Sequence, residues 1–464
     1  MSCVAIVGAG PTGLFAADRL TEQGVDVVLI NRDIKPGGLA EYGIYHEKVK
    51  VKEALRKQFR KILVNGDAAA TAGARIGYYG NVTVGETGDL SLDDLHDMGF
   101  DAIMVTVGAQ GTKWLGLPGE QLEGVYHAKE IIYHYNKLPP YSEREFAIGQ
   151  HSVATATVAL IGVGNVMADI ARWLVCDLGV AEVIAVARRG PAEVKFDKRE
   201  LQYVGDNLDL EDLDREIARV ASRMRAVGQD PEEAKAFIVS CASVETQDLA
   251  SLPHGRTRVR FRFLSAPKRL LDDGQGRVGA LEVEDTELIL NDDGSTWPRR
   301  MQTLHRLNVD TVIFCIGDRV SESLGLPVVR NEFLKCPDPC YPVDGACYEV
   351  YDPDAEAPMK GVFVAGWARQ ASTGQVGLAR KDGRLCAKAV LQYIADVAEA
   401  GTEETRPCAT EALQARLEAL DKPVVTKEDW QRLEEIEARE AKRRGLETFK
   451  FETNEAMLHA LDLI

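Results

Sequence analysis

Twice in this chain a short apolar run breaks into Gly-x-Gly and resumes as a helix, and few folds accommodate that pattern even once. Val4-Ala5-Ile6-Val7 is apolar without alternation, the mark of a strand buried on both faces. It runs into Gly8-Ala9-Gly10-Pro11-Thr12-Gly13, after which Leu14 to Leu20 carries apolar residues at helical spacing. In Gly-x-Gly-x-x-Gly between a strand and a helix, Gly8 permits the tight turn and Gly10 lets the backbone approach a pyrophosphate. Gly13 lets the helix lie close to the strand. The helix N-terminus, with Thr12 in its first turn, adds backbone N–H groups and the positive end of the helix dipole. The next strand, Val25 to Ile30, ends where such a unit normally carries Asp or Glu for the ribose hydroxyls. Asn31 stands there, followed by Arg32 and Asp33. An amide can accept from and donate to hydroxyls, without the strength of a charged acceptor.

The second copy runs Val158-Ala159-Leu160-Ile161 into Gly162-Val163-Gly164-Asn165-Val166-Met167, with a helix expected over Ala168 to Val175. Met167 fills the third small position and is expected to hold that helix slightly further from the sheet. The following strand, Val183 to Ala187, ends in Arg188-Arg189-Gly190 with no acidic residue. Two guanidiniums at that place fit a 2′-phosphate by charge and by forked hydrogen bonding, which selects NADP over NAD. The alternative is a surface arginine pair with no ligand. One dinucleotide unit with an NADP signature points to a flavin in the other, since a nicotinamide delivers a hydride and a flavin receives it.

Composition narrows the setting. At 464 residues the chain is several times the length prior of about 150 for one domain, so two domains are expected. Its 45% hydrophobic and 27% charged residues exclude disordered, collagen-like and membrane classes. No apolar run reaches the roughly 18 residues of a spanning helix, and no basic segment or cleavage site precedes Val4. A soluble, cytoplasmic protein is expected. Lys and Arg number 55 against 72 Asp and Glu, a net charge of −17, which opposes nucleic acid and anionic membranes as partners. Nine scattered cysteines, an odd number, read as reduced thiols.

Further motifs carry a family likeness. Pro36-Gly37-Gly38-Leu39-Ala40-Glu41-Tyr42-Gly43-Ile44 resembles the FAD-binding stretch of the adrenodoxin-reductase family of ferredoxin–NADP reductases and of the NADPH-input subunit of glutamate synthase. Val105-Thr106-Val107-Gly108-Ala109 and Leu117-Pro118-Gly119-Glu120 resemble the crossing between that family's domains. Tyr135-Asn136-Lys137-Leu138-Pro139, the run from Gly164 to Asp169, and Arg188-Arg189-Gly190-Pro191 with Phe196 and Glu200 continue the adrenodoxin-reductase pattern. Val364-Ala365-Gly366-Trp367 and Thr373-Gly374-Gln375-Val376-Gly377 resemble its flavin-contacting strand and helix start. The likeness covers nearly the whole chain.

The resemblance implies that Ala9, Asn31, Leu39 and Val84 contact the FAD adenosine and pyrophosphate, with Gly38 and Gly108 in the same cleft. Gly366, Trp367 and the backbone of Gly374, Gln375 and Val376 would hold the isoalloxazine. A helix beginning at Gly374 would point N–H groups at flavin N1, where negative charge collects on reduction. Val163, Gly164, Asn165 and Val166 would cradle the NADPH pyrophosphate, and Arg188 and Arg189, with Glu200 nearby, the 2′-phosphate. His46 and Asp169 match residues close to the flavin and are the catalytic candidates. The alternatives are an exposed loop histidine and a carboxylate making only a surface contact.

The resemblance further implies two Rossmann-like, three-layer α/β domains. A discontinuous FAD domain (residues 1–108 and 318–464) would enclose an NADP domain (109–317). The expected activity is hydride transfer from NADPH to flavin N5, then single-electron release to ferredoxin or another iron–sulfur protein. The alternative is an NADPH-oxidising subunit of a larger iron–sulfur complex, and the chain is expected as a monomer or as such a subunit. No cysteine pair stands near residues 36–50, which argues against disulfide reduction, and the lone Cys3 reads as no cluster of the chain's own. Cys336, Cys340 and Cys347 form C-x3-C-x6-C, a spacing of no common metal site, and no resident metal is expected. The run from Lys48 to Lys61 holds seven basic residues and one acidic, a local reversal suited to steering an acidic ferredoxin. Arg215, Arg219, Arg223 and Arg225 are a second candidate, and a solvated helix face is the alternative for both. Past residue 390 the chain reads as charged helices, with Thr426 and Asp429 as a capping box and Gly445 as a stop.

Overall fold

The computed structural model describes residues 2–69, 74–149, 152–242, 257–370, 376–400 and 408–464. Gly374 and Gln375, and so the start of the helix expected there, lie outside the described residues. The chain divides into two compact units. The first comprises Met1–Gly111, Tyr133–Glu143 and Asp318–Ile464, the second Thr112–Ile132 and Arg144–Gly317.

In the first unit the apolar run at the N-terminus is strand β1 (Cys3–Val7), paired in parallel with β2 (Asp26–Asn31) on one side and β4 (Ala102–Val105) on the other. With β3 (Ile76–Gly80) the sheet has seven strands in the order Glu349–Asp352, Ala357–Val364, β4, β1, β2, β3, Val425–Thr426. Both end strands are antiparallel to their neighbours. Successive side chains of a strand point to opposite faces. Val4 and Ile6 accordingly join one apolar cluster, with Leu14, Leu63, Val390 and Trp430, while Ala5 and Val7 join another, with Val28, Leu95 and Leu413. Burial on both faces explains the unbroken apolar run of β1. Because β1 has β2 on one side and β4 on the other, the connections leave in opposite directions and open a crevice beyond its carboxyl end.

Helix α1 (Pro11–Thr21) packs on the helix Val376–Glu399, and a Cβ on Gly383 would come within 2.3 Å of Thr12 O. The basic run becomes α2 (Val49–Ala69), a helix with two faces. Lys52, Phe59, Ile62 and Leu63 turn inward, while Lys50, Lys57 and Lys61 are exposed along one stripe.

The second unit is built on a parallel sheet in the order Val125–His127, Thr311–Phe314, β5 (Thr157–Ile161), β6 (Glu182–Val186), Arg258–Arg262. A separate antiparallel sheet of Ser265–Asp272, Val278–Leu290 and Thr296–Asn308 adds to it, an element the sequence reading did not contain. Its last strand is exposed along most of its length, so no apolar alternation marks it. The helix expected over 168–175 begins earlier, as α3 (Asn165–Arg172), because extended Gly164 already serves as its N-cap. One π-turn, Trp173–Leu178, follows and ends on left-handed Gly179.

Candidate functional site

The first glycine turn has the geometry its spacing predicts. Gly8 lies at φ +103°, and a Cβ there would sit 2.8 Å from Thr106 O. On Gly13 a Cβ would meet Gly8 O at 2.2 Å and Thr106 Oγ1 at 2.6 Å, so helix and strand approach only because it is absent. Thr106 Oγ1 closes the turn by donating to Gly8 O at 2.7 Å, a role that its place in the Val105–Ala109 motif did not reveal. Gly10 differs. Its φ of −76° suits any residue, and nothing among the described residues lies within 4 Å of its would-be Cβ. Packing among the described residues does not demand glycine at Gly10, and the backbone there stays open to close approach. Pro11 at the first helical position removes one N–H, and Thr12 and Ala9 are buried beside it.

Asn31, expected to face the ribose, points inward. Its Oδ1 accepts from Ala9 N at 2.9 Å, and its Nδ2 donates to Asp33 O at 2.8 Å and Lys35 O at 3.1 Å. The amide holds the glycine turn in shape and joins it to the loop that follows. That loop returns to the turn: Gly37 N donates to Ala9 O at 2.8 Å, and a Cβ on Gly38 would meet Gly10 Cα at 3.1 Å. Leu39 and Val84 are half-buried, and Gly108 stands at φ +68° with open space at its Cβ.

Behind this loop lies a buried ionic cluster that no motif announced. Glu41 takes a bidentate Arg56 at 2.6 and 2.7 Å and Lys450 at 2.6 Å, and Lys35 pairs with Glu437. Burial opposes ionisation of Glu41, but Lys450, Lys35 and Arg56 together hold it well below the usual carboxylate range. Lys52 donates to Asn136 Oδ1 and faces no carboxylate of its own; burial, aided by the Lys450 charge, lowers it to about 7. The asparagine's Nδ2 is buried with no hydrogen-bond partner among the described residues. His46 is half-buried rather than an exposed loop residue, its ring 4.6 Å from Tyr45 and 5.5 Å from Tyr135.

The turn Gly366–Ala368 carries half-buried Trp367. Gly366 is left-handed, and a Cβ on it would strike Thr12 Oγ1 at 2.5 Å. Asp382, on the helix Val376–Glu399, fixes this turn. Its carboxylate accepts from Gly366 N at 2.6 Å, from Arg369 at 2.5 and 3.2 Å and from the Tyr348 hydroxyl at 3.2 Å. Sixteen positions separate Asp382 from Gly366, so local spacing gave no sign of it. A cavity of about 260 Å³ opens between Trp367, Arg369, Asp382 and the segment 343–348.

The second unit repeats the first turn. Gly162 lies at φ +117°, and a Cβ on it would come 2.5 Å from Cys315 O, the counterpart of Gly8 against Thr106. Gly164, the counterpart of Gly10, has φ −112° and again nothing among the described residues within 4 Å of its Cβ. Val163, Asn165 and exposed Val166 complete the turn, Met167 is wholly buried under α3, and Asp169 is half-buried at its middle. After β6, Arg188 is exposed and Arg189 pairs with Glu193 at 3.3 Å. Glu200 is half-buried in the short helix Lys198–Leu201. Of the arginines expected on one helix face, Arg219 pairs with Glu216 at 2.7 Å and Asp285 at 3.4 Å and Arg223 donates to Thr286 O at 2.8 Å, while Arg225 and Arg215, the latter paired with Asp212 at 3.3 Å, are exposed.

Each turn therefore suits a dinucleotide pyrophosphate, with space left open at Gly10 and at Gly164. The family profile described as pyridine nucleotide-disulphide oxidoreductase matches residues 2–383. The chain belongs to this family. Among its relatives, NADPH-ferredoxin reductase FprA of Mycobacterium leprae is 25% identical over 462 residues, covering 94% of this chain and 92% of that protein. The mitochondrial NADPH:adrenodoxin oxidoreductase of Arabidopsis thaliana is 26% identical over 478 residues, covering 96% and 92%. These are the proteins the sequence motifs resembled. The solved structure of Mycobacterium tuberculosis FprA in complex with NADPH shares the fold, with a TM-score of 0.78 at 23% identity, over 100% of this chain and 99% of that one.

Within this pyridine nucleotide-disulphide oxidoreductase none of the nine cysteines is in a disulfide. Cys336 Sγ donates to Asp338 O at 3.3 Å and Cys347 Sγ to Glu349 O at 3.5 Å, as protonated thiols do. Among the described residues no three His, Cys, Asp or Glu side chains are grouped to hold a metal. None of the helices in the described residues is long and apolar enough to cross a membrane.

Proposed function

We propose that this chain is an FAD-dependent reductase that oxidises NADPH and passes electrons to a one-electron iron–sulfur carrier, a reading supported by relatives named NADPH-ferredoxin reductase and NADPH:adrenodoxin oxidoreductase. The observation that carries the reading is the pair of glycine turns, each with its outer glycine facing open space. FAD, when bound, supplies a centre that accepts a hydride and gives up electrons singly. The first unit is assigned to FAD: the turn Gly8–Gly13 holds the pyrophosphate, Asn31 fixes that turn through Ala9, and Asp382 fixes the turn bearing Trp367. The second unit is assigned to NADPH, with Val163 to Val166 on the pyrophosphate and Arg188 and Arg189 on the 2′-phosphate. His46 and Asp169 are assigned to the vicinity of the flavin ring. The carrier is an acidic iron–sulfur protein, drawn to the exposed stripe of Lys50, Lys57 and Lys61 on α2. Nine free thiols fit a reducing compartment such as the cytoplasm.

The test is anaerobic titration of the purified protein with NADPH and with NADH. Bleaching of a flavin band at far lower NADPH than NADH is expected, and replacing Arg188 and Arg189 together by Ala should erase that preference. A colourless protein, or equal response to both nucleotides in the parent chain, refutes the assignment.

A further inference from the structure

The segment that follows the arginine pair is laced onto the second glycine turn. Lys195 N donates to Val163 O at 2.9 Å, and Lys195 forms a parallel bridge with Gly164. Two residues on, Asp197 N donates to Asn165 Oδ1 at 2.7 Å and Asn165 Nδ2 donates to Asp197 Oδ2 at 2.9 Å. Between them Phe196 is buried against Phe237 and Phe261, which anchors the segment in the unit. Lys195 is thus fixed by its backbone beside the glycine that has no side chain, at the N-terminal end of α3.

Its side chain is exposed, and among the described residues no carboxylate lies within ion-pair distance of it. Several cations of this unit are paired, Arg189 with Glu193, Arg219 with Glu216, and Arg258 and Arg260 with Glu182, whereas Arg188, Lys198 and Arg199, like Lys195, are exposed. From Arg188 to Glu200 the chain carries five basic and three acidic residues, against a net charge of −17 overall. A lysine whose backbone is held beside a helix N-terminus, with open space among the described residues at the neighbouring glycine, has the charge and the reach to meet a phosphate there.

We propose that Lys195 is a phosphate-binding residue that contacts the pyrophosphate of the dinucleotide bound at the Gly164 turn. Arg188 serves a different phosphate: it extends from the end of β6, where the adenosine ribose and its 2′-phosphate lie in this kind of unit. The inference rests on the assignment of the turn to NADPH. It divides the two cations by function, Lys195 contributing affinity to any dinucleotide and Arg188 contributing the preference for a 2′-phosphate.

Two fragments separate the roles in the intact, flavin-loaded protein by calorimetric titration. ADP-ribose carries the pyrophosphate without a 2′-phosphate; 2′-AMP carries the 2′-phosphate without a pyrophosphate. Lys195→Ala should weaken ADP-ribose about tenfold, the scale of one charge-assisted contact, and leave 2′-AMP within about twofold. Arg188→Ala should do the reverse, and Lys195→Arg should restore most of the ADP-ribose affinity. The proposal is overturned by an unchanged ADP-ribose affinity in Lys195→Ala, by equal weakening of both fragments, or by failure of the arginine to restore binding. A parent protein that binds neither fragment refutes the nucleotide assignment itself, and the role of Lys195 with it.

Discussion

At the scale of single residues, the acid–base state of Lys52 has a measurable consequence. Its folded value of about 7 lies below the ordinary 10.5, so between those limits the unfolded chain binds more protons than the folded one. Stability therefore gains from this group as pH rises from about 7 toward 10, and below 7 the full penalty of a buried cation remains. Lys52→Met lacks that rise. The difference in melting temperature, variant minus parent, should be largest near pH 6 and should shrink as pH approaches 10; a difference constant over that range would show the amine stays charged. Asp382 has a different signature. Its pair with Arg369 is largely shielded from solvent, and removing one partner of such a pair costs about 3 kcal/mol. Asp382→Ala should lose about that much stability and also release FAD more readily, measured by flavin fluorescence on dilution. Asp382→Asn, which can still accept from Gly366 N, should recover the FAD affinity more than the stability. Neither residue was legible in advance, because the partners of Lys52 and Asp382 are distant in sequence and a motif reports only neighbours.

At the scale of elements, α2 shows how composition misleads when read without a helix axis. Seven basic residues looked like one surface. Folded, Lys52 and Arg56 are drawn into the buried cluster, Arg60 pairs with Glu434, and Lys50, Lys57 and Lys61 remain on the exposed face. Reversing charge at Lys57 and Lys61 (Lys57→Glu with Lys61→Glu) should lower the rate of ferredoxin reduction several-fold at low salt and less at high salt. NADPH-driven reduction of a small neutral dye should be unaffected, since such a dye needs no steering. Equal loss with both acceptors would place the effect at the flavin instead. The demand for glycine at Gly8 and Gly13 was legible, because both answer to sterics that spacing alone imposes. The antiparallel sheet over 265–308 was not, since the exposed strand Thr296–Asn308 carries Trp297 and Leu304 outward and lacks the alternation that marks a half-buried strand.

At the scale of the whole molecule, the chain is two units with separate apolar clusters, and each should respond to its own cofactor. A ligand that binds only the folded form stabilises by an amount set by its concentration over Kd, about 2.7 kcal/mol at a hundredfold excess over Kd. Calorimetry should resolve two transitions, one raised by FAD and the other by NADP. A single transition raised by both would mean the units unfold together. The family and the two-domain α/β plan were legible because a repeated motif announces a repeated unit. The fate of Asn31 was not, since an amide in an acidic residue's usual place can face a sugar or its own backbone, and only coordinates distinguish the two.

The empty space beside Gly10 and Gly164 offers an experimental handle. A methyl at either position touches no atom of the described residues and asks nothing unusual of the backbone, so Gly10→Ala and Gly164→Ala, stripped of cofactor, should melt like the cofactor-free parent. Each added methyl would occupy ground reserved for one visitor. A matched pair of proteins would result, one deaf to the flavin and the other to the nicotinamide, in which the two halves of the electron's route are switched off one at a time.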